Sequence, residues 1–422
     1  MARLAFLSGA GAGSREENGS KPKPGAPIRR YRNGKGASAR LLVLGVLLSL
    51  GLAHGAASEE TRYRLKAVSF DDLPGFSSDK LEEALRAFAR SCSGPAHSSQ
   101  IMPPLRQGDL KQICAAATRD EAKTNPRGFF ERYFQPFQIS VDSTPDAFFT
   151  GYYQPEIPGS LIQSAEFPTP AYSLPQDIVS LSSANRVGSL AELSAARRGP
   201  DGALSPFADR GAIEDGALET GSGVKKLVFL RDKADLLLAQ VQGSARVRLD
   251  DGRLLHLSFA GRNGQPYTAL ARILVQRGVA PASEMTMRRL IDWLRQHGLE
   301  RGEAGDDLLR LNKSYVFFSA RFDRNPDEQP RGGSGALLSP LRSVAVDTHI
   351  WPYGLPFYIN ARMPWRSAEI EPFQRLMIAQ DTGSAIVGAA RADVFFGTGS
   401  IAGDRAGEIR HHGQFFLFLP KD

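Results

Sequence analysis

Thiols are almost absent from this chain. Cys92 and Cys114 are its two cysteines in 422 residues, and a pair of thiols alone makes a poor metal site. Histidine is scarce too, with seven residues and no cluster of metal-ligand spacing. The adjacent His411 and His412 read as surface residues. No metal and no cofactor is expected. A phosphate loop and a nucleophile elbow are also missing. The Gly397-Thr398-Gly399 turn is read as lacking the helix and the lysine that phosphate binding needs. No internal repeat is evident. The apolar run Leu41 to Ala53 is too short for an ordinary spanning helix.

Excess charge is absent once its source is found. The net charge of +7 invites a nucleic-acid reading. Residues 1–57 hold nine Lys/Arg and two acids; removing these from 52 and 45 leaves 43 of each sign. The remainder is neutral, so no nucleic acid is expected as a partner. Charged residues at 23% and hydrophobic ones at 42% fit an ordinary globular protein with a sizeable core.

Residues 1–57 read as an export leader. A basic start rich in Gly, Ser and Pro precedes the apolar run, and small residues from Ala53 to Ser58 follow it. Cleavage after Gly55 or Ala57 fits. A start later than Met1, or an uncleaved anchor, accounts for the leader's length. No cysteine lies near this site, so no N-terminal lipid is expected. In an oxidising compartment Cys92 and Cys114 could pair; the residues alone leave a disulfide and two buried thiols equally open.

Beyond the leader the texture is mixed. Tyr63 to Phe70 alternates like a strand. Helices are expected from Leu81 to about Cys92, from Gly108 to Thr118 and from Pro126 to Gln135, the last with a core-facing stripe of Phe129, Phe130, Tyr133 and Phe134. Strands follow at Phe137–Val141 and Asp146–Tyr153. Residues 154–210 read as loops and short edge strands. A strand at Val224–Leu230, a helix at Lys233–Gln240 and a hairpin turning at Asp250-Asp251-Gly252 come next. Helices are expected at Thr268–Arg277 and Glu284–His297, then a buried strand at Tyr315–Phe318 and a polar linker from Asp323 to Gly335. From there short strands at close spacing suggest a small barrel.

One stretch of that last part carries the chemistry, Leu376 to Gly399. It holds Asp381 and Asp393, each beside apolar residues. An acid among apolar neighbours is desolvated, and a carboxyl still protonated near neutral pH can donate a proton. Asp in D-T-G or A-D-V also caps turns, and spacing alone does not separate the two roles. Ala379 to Ser384 also looks like the loop of an aspartic protease, but that chemistry needs two such aspartates sharing a proton. This chain has one D-T-G.

The wider pattern is more specific. Ala345-Val346-Asp347, Ala379-Gln380-Asp381-Thr382-Gly383 and Arg391-Ala392-Asp393-Val394-Phe395-Phe396 resemble the three-aspartate domain of bacterial wall-lytic proteins. Phe149 to Glu156, Gln240 to Ser244, Gly261 to Tyr267 and Tyr315 to Phe318 complete the order. Together they resemble the membrane-bound lytic murein transglycosylase A family from about Phe137 to Leu419. The resemblance implies a mainly β protein with peripheral helices, a double-psi β-barrel catalytic domain and a second, inserted β-barrel domain. The expected divisions are residues 1–57 (leader), 58–153 and 315–422 (the two parts of domain 1) and 154–314 (the insert).

It implies cleavage of the β-1,4 bond from N-acetylmuramic acid to N-acetylglucosamine in peptidoglycan, leaving a 1,6-anhydromuramyl end. Endo- and exo-action are not separated. Asp393 takes the acid/base role and is expected to enter protonated. Asp381 supports it; Asp347 contacts substrate or only holds a turn. Thr150, Gly151, Tyr152, Tyr153, Gln242, Gly243, Ser244, Asn263 and Tyr267 are candidate groove contacts by position in the pattern. The expected partners are peptidoglycan glycan strands and a cell-wall synthesis complex, with the chain acting as a monomer. Many members carry a lipid-modified cysteine after the signal. This chain does not, so a soluble periplasmic enzyme, or one held by its leader, is expected.

Overall fold

The computed structural model describes residues 63–93, 107–219, 223–323, 325, 327–383 and 385–421. The leader reading, residues 1–57, lies outside them. Two extended sheets dominate. The first draws its strands from both ends of the chain: β1 (Tyr63–Ala67), β2 (Phe134–Val141) and β3 (Ala147–Gln154) come before the middle region. The middle region builds a second sheet from β4 (Glu156–Ser160), β5 (Thr169–Tyr172), β9 (Lys226–Leu230), β10 (Ser244–Leu249), β11 (Leu254–Arg262) and β12 (Val316–Phe322). Three short strands, β6 (Ile178–Ser180), β7 (Ala195–Arg198) and β8 (Leu204–Ser205), pair separately. Five more then complete the first sheet: β13 (Ser343–Val346), β14 (Pro356–Met363), β15 (Glu371–Asp381), β16 (Arg391–Thr398) and β17 (Arg410–Pro420).

The order in the first sheet is β1-β2-β17-β14-β15-β13-β16-β3, and β3 also pairs with β17. Six strands therefore hydrogen-bond in a closed circuit. Successive side chains of a strand point to opposite faces, and here both faces are buried. Phe357, Ile359, Met377, Ala379, Phe415 and Leu417 point into one core; Tyr358, Leu376, Ile378, Phe416 and Phe418 point into another. That is why these strands read as continuous apolar runs.

The outer core is covered by α1 (Leu81–Ser91), α2 (Gln107–Ala117), α3 (Asp120–Thr124) and α4 (Pro126–Tyr133). Asn125 caps α4 by accepting from the Gly128 amide, and Pro126 sits at its first position, where a missing N–H costs nothing. The expected aromatic stripe is core: Phe129, Phe130 and Phe134 are buried with Phe88, each contributing roughly 2–3 kcal/mol by transfer from water. Cys92 and Cys114 form a disulfide tying the end of α1 to α2.

The middle region adds α5 (Arg210–Glu214), α6 (Lys233–Gln242), α7 (Leu270–Gln276), α8 (Met287–Gln296) and α9 (Ala304–Arg310). A last helix, α10 (Ser400–Gly407), lies between β16 and β17. Three expectations need correction. Residues 154–210, expected as loops and short edge strands, hold five paired strands, and β4 and β7 have neighbours on both sides; Pro and Ser interrupt their periodicity. The helices α3, α5 and α9 were not foreseen. A helix does follow the Gly397–Gly399 turn; Gly403 and Gly407 lower its intrinsic propensity and so mask it. No helix among the described residues is long and apolar enough to cross a membrane.

Candidate active site

Asp393 lies within β16, with Thr150 of β3 and Ala345 of β13 at its register positions. Both neighbouring strands are buried here, and Asp393 is 8% exposed. The Thr150 hydroxyl donates to Asp393 Oδ1 at 2.6 Å. Arg391, two residues earlier on the same strand face, donates from Nη2 to Thr150 Oγ1, also at 2.6 Å. Burial pushes the Arg391 guanidinium below its ordinary value, against the opposing pull of Asp393.

Beside this cluster β3 meets α10 closely. A Cβ on Gly151 would lie 2.7 Å from the Ala406 carbonyl oxygen, and one on Gly403 would lie 2.6 Å from the Tyr153 ring. Glycine at both positions lets helix and strand approach.

A cleft of about 750 Å³ opens at this place. Thr150, Gly151, Tyr152, Tyr153, Gln242 and Asp393 line it together. Gln242 ends α6 and accepts from the Tyr153 amide at 3.2 Å. Burial pushes the Tyr153 phenol up to about 12, so it stays neutral. One wall is α8, with Met287, Arg288 and Ile291; another is α10, with Ser400 and Asp404. Arg288 and Asp404 form an ion pair between these helices.

The remaining predicted residues do not line the cleft. Asp381, at the end of β15, accepts from the Tyr152 hydroxyl at 2.9 Å and from the Gly333 and Thr382 amides at 3.0 and 2.9 Å. It thus stands behind the cleft wall, reaching it through Tyr152. Asp347 accepts from the His349 amide at 3.0 Å, the His349 ring at 3.1 Å and the Gly388 amide at 2.8 Å. Its carboxyl joins two loops. Gly243 closes α6 with φ +72°, a left-handed conformation that favours glycine, and Ser244 is buried at the start of β10. The Asn263 side chain is fully buried; its amide donates to the Ala208 and Lys313 carbonyls, and its oxygen accepts from Tyr315 N at 2.9 Å. Burial pushes the Tyr267 phenol up to about 12.

Sequence reasoning missed Arg391, the wall from α8 and all of α10. The spacing Arg391, Asp393 on one strand was available as a signal, because residues i and i+2 share a face. The α8 wall left no local signal, since it lies about a hundred residues away.

What the cluster can do is bounded by its acids. The cleft's other carboxylates, Glu156, Asp292, Asp404 and Glu408, are exposed, whereas Asp393 is buried beside a hydroxyl donor. A single sheltered carboxyl facing a groove suits proton transfer to a bound ligand.

Known proteins resemble this chain in sequence and in fold. The family model described as the MltA specific insert domain matches residues 148–319, and the 3D domain model matches residues 342–419. The membrane-bound lytic murein transglycosylase A of Vibrio cholerae is 30% identical over 280 residues, spanning 65% of each chain. A crystal structure of a membrane-bound lytic murein transglycosylase from Agrobacterium tumefaciens is 32% identical, with a TM-score of 0.73, covering 84% of this chain and 97% of that one. A crystal structure of MltA from Neisseria gonorrhoeae is 26% identical, with a TM-score of 0.69, covering 85% and 93%. With its cleft, its buried aspartate and these likenesses over most of its length, the chain belongs to the membrane-bound lytic murein transglycosylase A family.

Proposed function

We propose that the protein is a lytic transglycosylase that cleaves the β-1,4 bond between N-acetylmuramic acid and N-acetylglucosamine in peptidoglycan and leaves a 1,6-anhydromuramyl end. The observation that carries the reading is the place of Asp393: of the three motif aspartates, it alone lines the cleft. Hydrolytic glycosidases ordinarily need two carboxyl groups. Here one suffices, because the sugar supplies its own nucleophile. Asp393 gives its proton to the departing O4 as the C1–O4 bond breaks. The C6 hydroxyl oxygen of the same muramyl residue bonds to C1 and passes its proton to the Asp393 carboxylate. The acid is regenerated and no water is consumed. Tyr152 and Asp381 hold the wall behind Asp393; Thr150, Tyr153 and Gln242 meet the glycan.

We take residues 58–153 and 315–422 as one domain interrupted by 154–314. The closed six-strand circuit, assembled from both flanks of the insert, supports a double-psi barrel, with the cleft between the two domains. The Cys92–Cys114 disulfide favours an oxidising compartment, in keeping with export to the periplasm.

Mass spectrometry of products released from purified sacculi tests the reading. The expected product has the anhydro mass. A product heavier by one water would make the protein a hydrolase, and no product would make it a wall-binding protein. Asp393→Asn keeps the side chain's shape and should abolish the product while the melting temperature stays near that of the parent; full activity in this variant would sink the assignment.

A further inference from the structure

The cation beside Asp393 has no acid of its own. Arg391 is 7% exposed. Among the described residues no carboxylate lies within ion-pair distance of it. Its Nη1 donates to the Ala392 and Phe148 carbonyls, its guanidinium carbon sits 5.2 Å from the centre of the Phe148 ring, and its Nε is buried without an acceptor. Burying a guanidinium with incomplete pairing costs stability, and a neutral residue of similar volume would pack there more cheaply. Stability therefore does not account for an arginine at this position.

Its remaining contact does. Arg391 Nη2 reaches Thr150 Oγ1, and a guanidinium only donates. The Thr150 hydroxyl owns a single proton. With one lone pair of its oxygen accepting from Arg391 and the guanidinium charge on that side, that proton is directed away from the cation, to Asp393 Oδ1. The carbonyl oxygen of a protonated carboxyl is a better acceptor than its hydroxyl oxygen, so this contact favours Oδ1 as the carbonyl oxygen and Oδ2 as the seat of the acidic proton. Without Arg391 the Thr150 hydroxyl can turn and accept from Asp393 instead, which moves the proton to Oδ1.

We propose that Arg391 is a positioning residue for Asp393: it fixes the direction of the Thr150 hydroxyl and thereby selects the carboxyl oxygen that carries the transferable proton. This rests on the transglycosylase reading above. Arg391 does not line the cleft, so it acts on turnover and not on substrate binding.

The test is a mutant cycle on soluble, peptide-free glycan oligomers, reading anhydro product. Arg391→Met should lower kcat by roughly tenfold with KM unchanged, the size expected for one buried hydrogen bond. Arg391→Lys, which keeps a charged donor, should recover most of that loss. Thr150→Val should lower kcat similarly, and adding Arg391→Met to it should cost less than about twofold more, because both variants break one relay. The proposal is overturned if Arg391→Met turns over like the parent, if the two losses multiply, or if only KM moves. Should Arg391→Met not fold, Thr150→Val decides: a parental kcat in that variant means no relay through the hydroxyl exists. A parent chain that yields no anhydro product sinks the transglycosylase reading instead.

Discussion

Asn263 shows how a motif residue serves a site it does not touch. Its side chain bridges the Ala208 and Lys313 carbonyls and the Tyr315 amide, tying the end of β11 to the segments that precede α5 and β12. Asn263→Ala leaves these buried groups unpaired and should cost about 2–3 kcal/mol of unfolding free energy in urea denaturation. KM for glycan should stay at the parental value, since the residue lies away from the cleft; a raised KM with unchanged stability would restore it as a groove contact. At this scale the sequence was partly legible. Asp393 stood out by its apolar neighbours, and Thr150 to Tyr153 and Gln242, named from the pattern, line the cleft. Asn263 was not separable from groove residues, because a polar side chain that binds carbonyls and one that binds sugar hydroxyls look alike in sequence. Arg391 was passed over because its meaning lies in a contact 241 residues away.

Among the elements, α10 carries the largest surprise and the sharpest test. Its seat on β3 depends on Gly151, where an added Cβ would also lie 2.9 Å from the Phe396 ring. Gly151→Ala must push the Ala406 backbone outward, and overpacking of this kind costs about 1–3 kcal/mol. Because α10 walls the cleft, kcat should fall along with the melting temperature. Gly407→Ala is the contrast: nothing lies within 4 Å of its would-be Cβ, so stability should be kept or slightly raised. Equal losses in the two variants would refute the close-approach account. Most other elements were readable, since strands and helices with regular apolar spacing announce themselves; Phe137 to Val141 was expected as a strand and lies within β2. The helix α10 failed that rule because Gly403 answers to the neighbouring strand and not to helix propensity.

For the whole molecule, acid should be the weak flank. Burial tends to raise the Glu83 carboxyl, but Arg342 and Arg375 hold it below its ordinary 4.5. Asp306 is likewise raised by burial, and hydrogen bonds from Lys233 and Arg310 hold it below 3.8. A carboxyl depressed in the folded state adds stability that is present above its unfolded value and is lost as pH falls through the folded one. The melting temperature should thus be level with respect to these groups above about pH 5 and drop steeply below about pH 4. Asp306→Asn should melt lower at neutral pH and lose less on acidification; parallel acid slopes for parent and variant would exclude Asp306 from the effect. The strand circuit has its own consequence, in time and not in space. Its last strand, β17, pairs with β2, β3 and β14, and the Thr150–Asp393 contact joins residues 243 apart. Contacts so distant in sequence close late and slowly. The ring cannot shut until β17, which joins β14 to β3, has been synthesised, so the circuit of a nascent chain stays open until then.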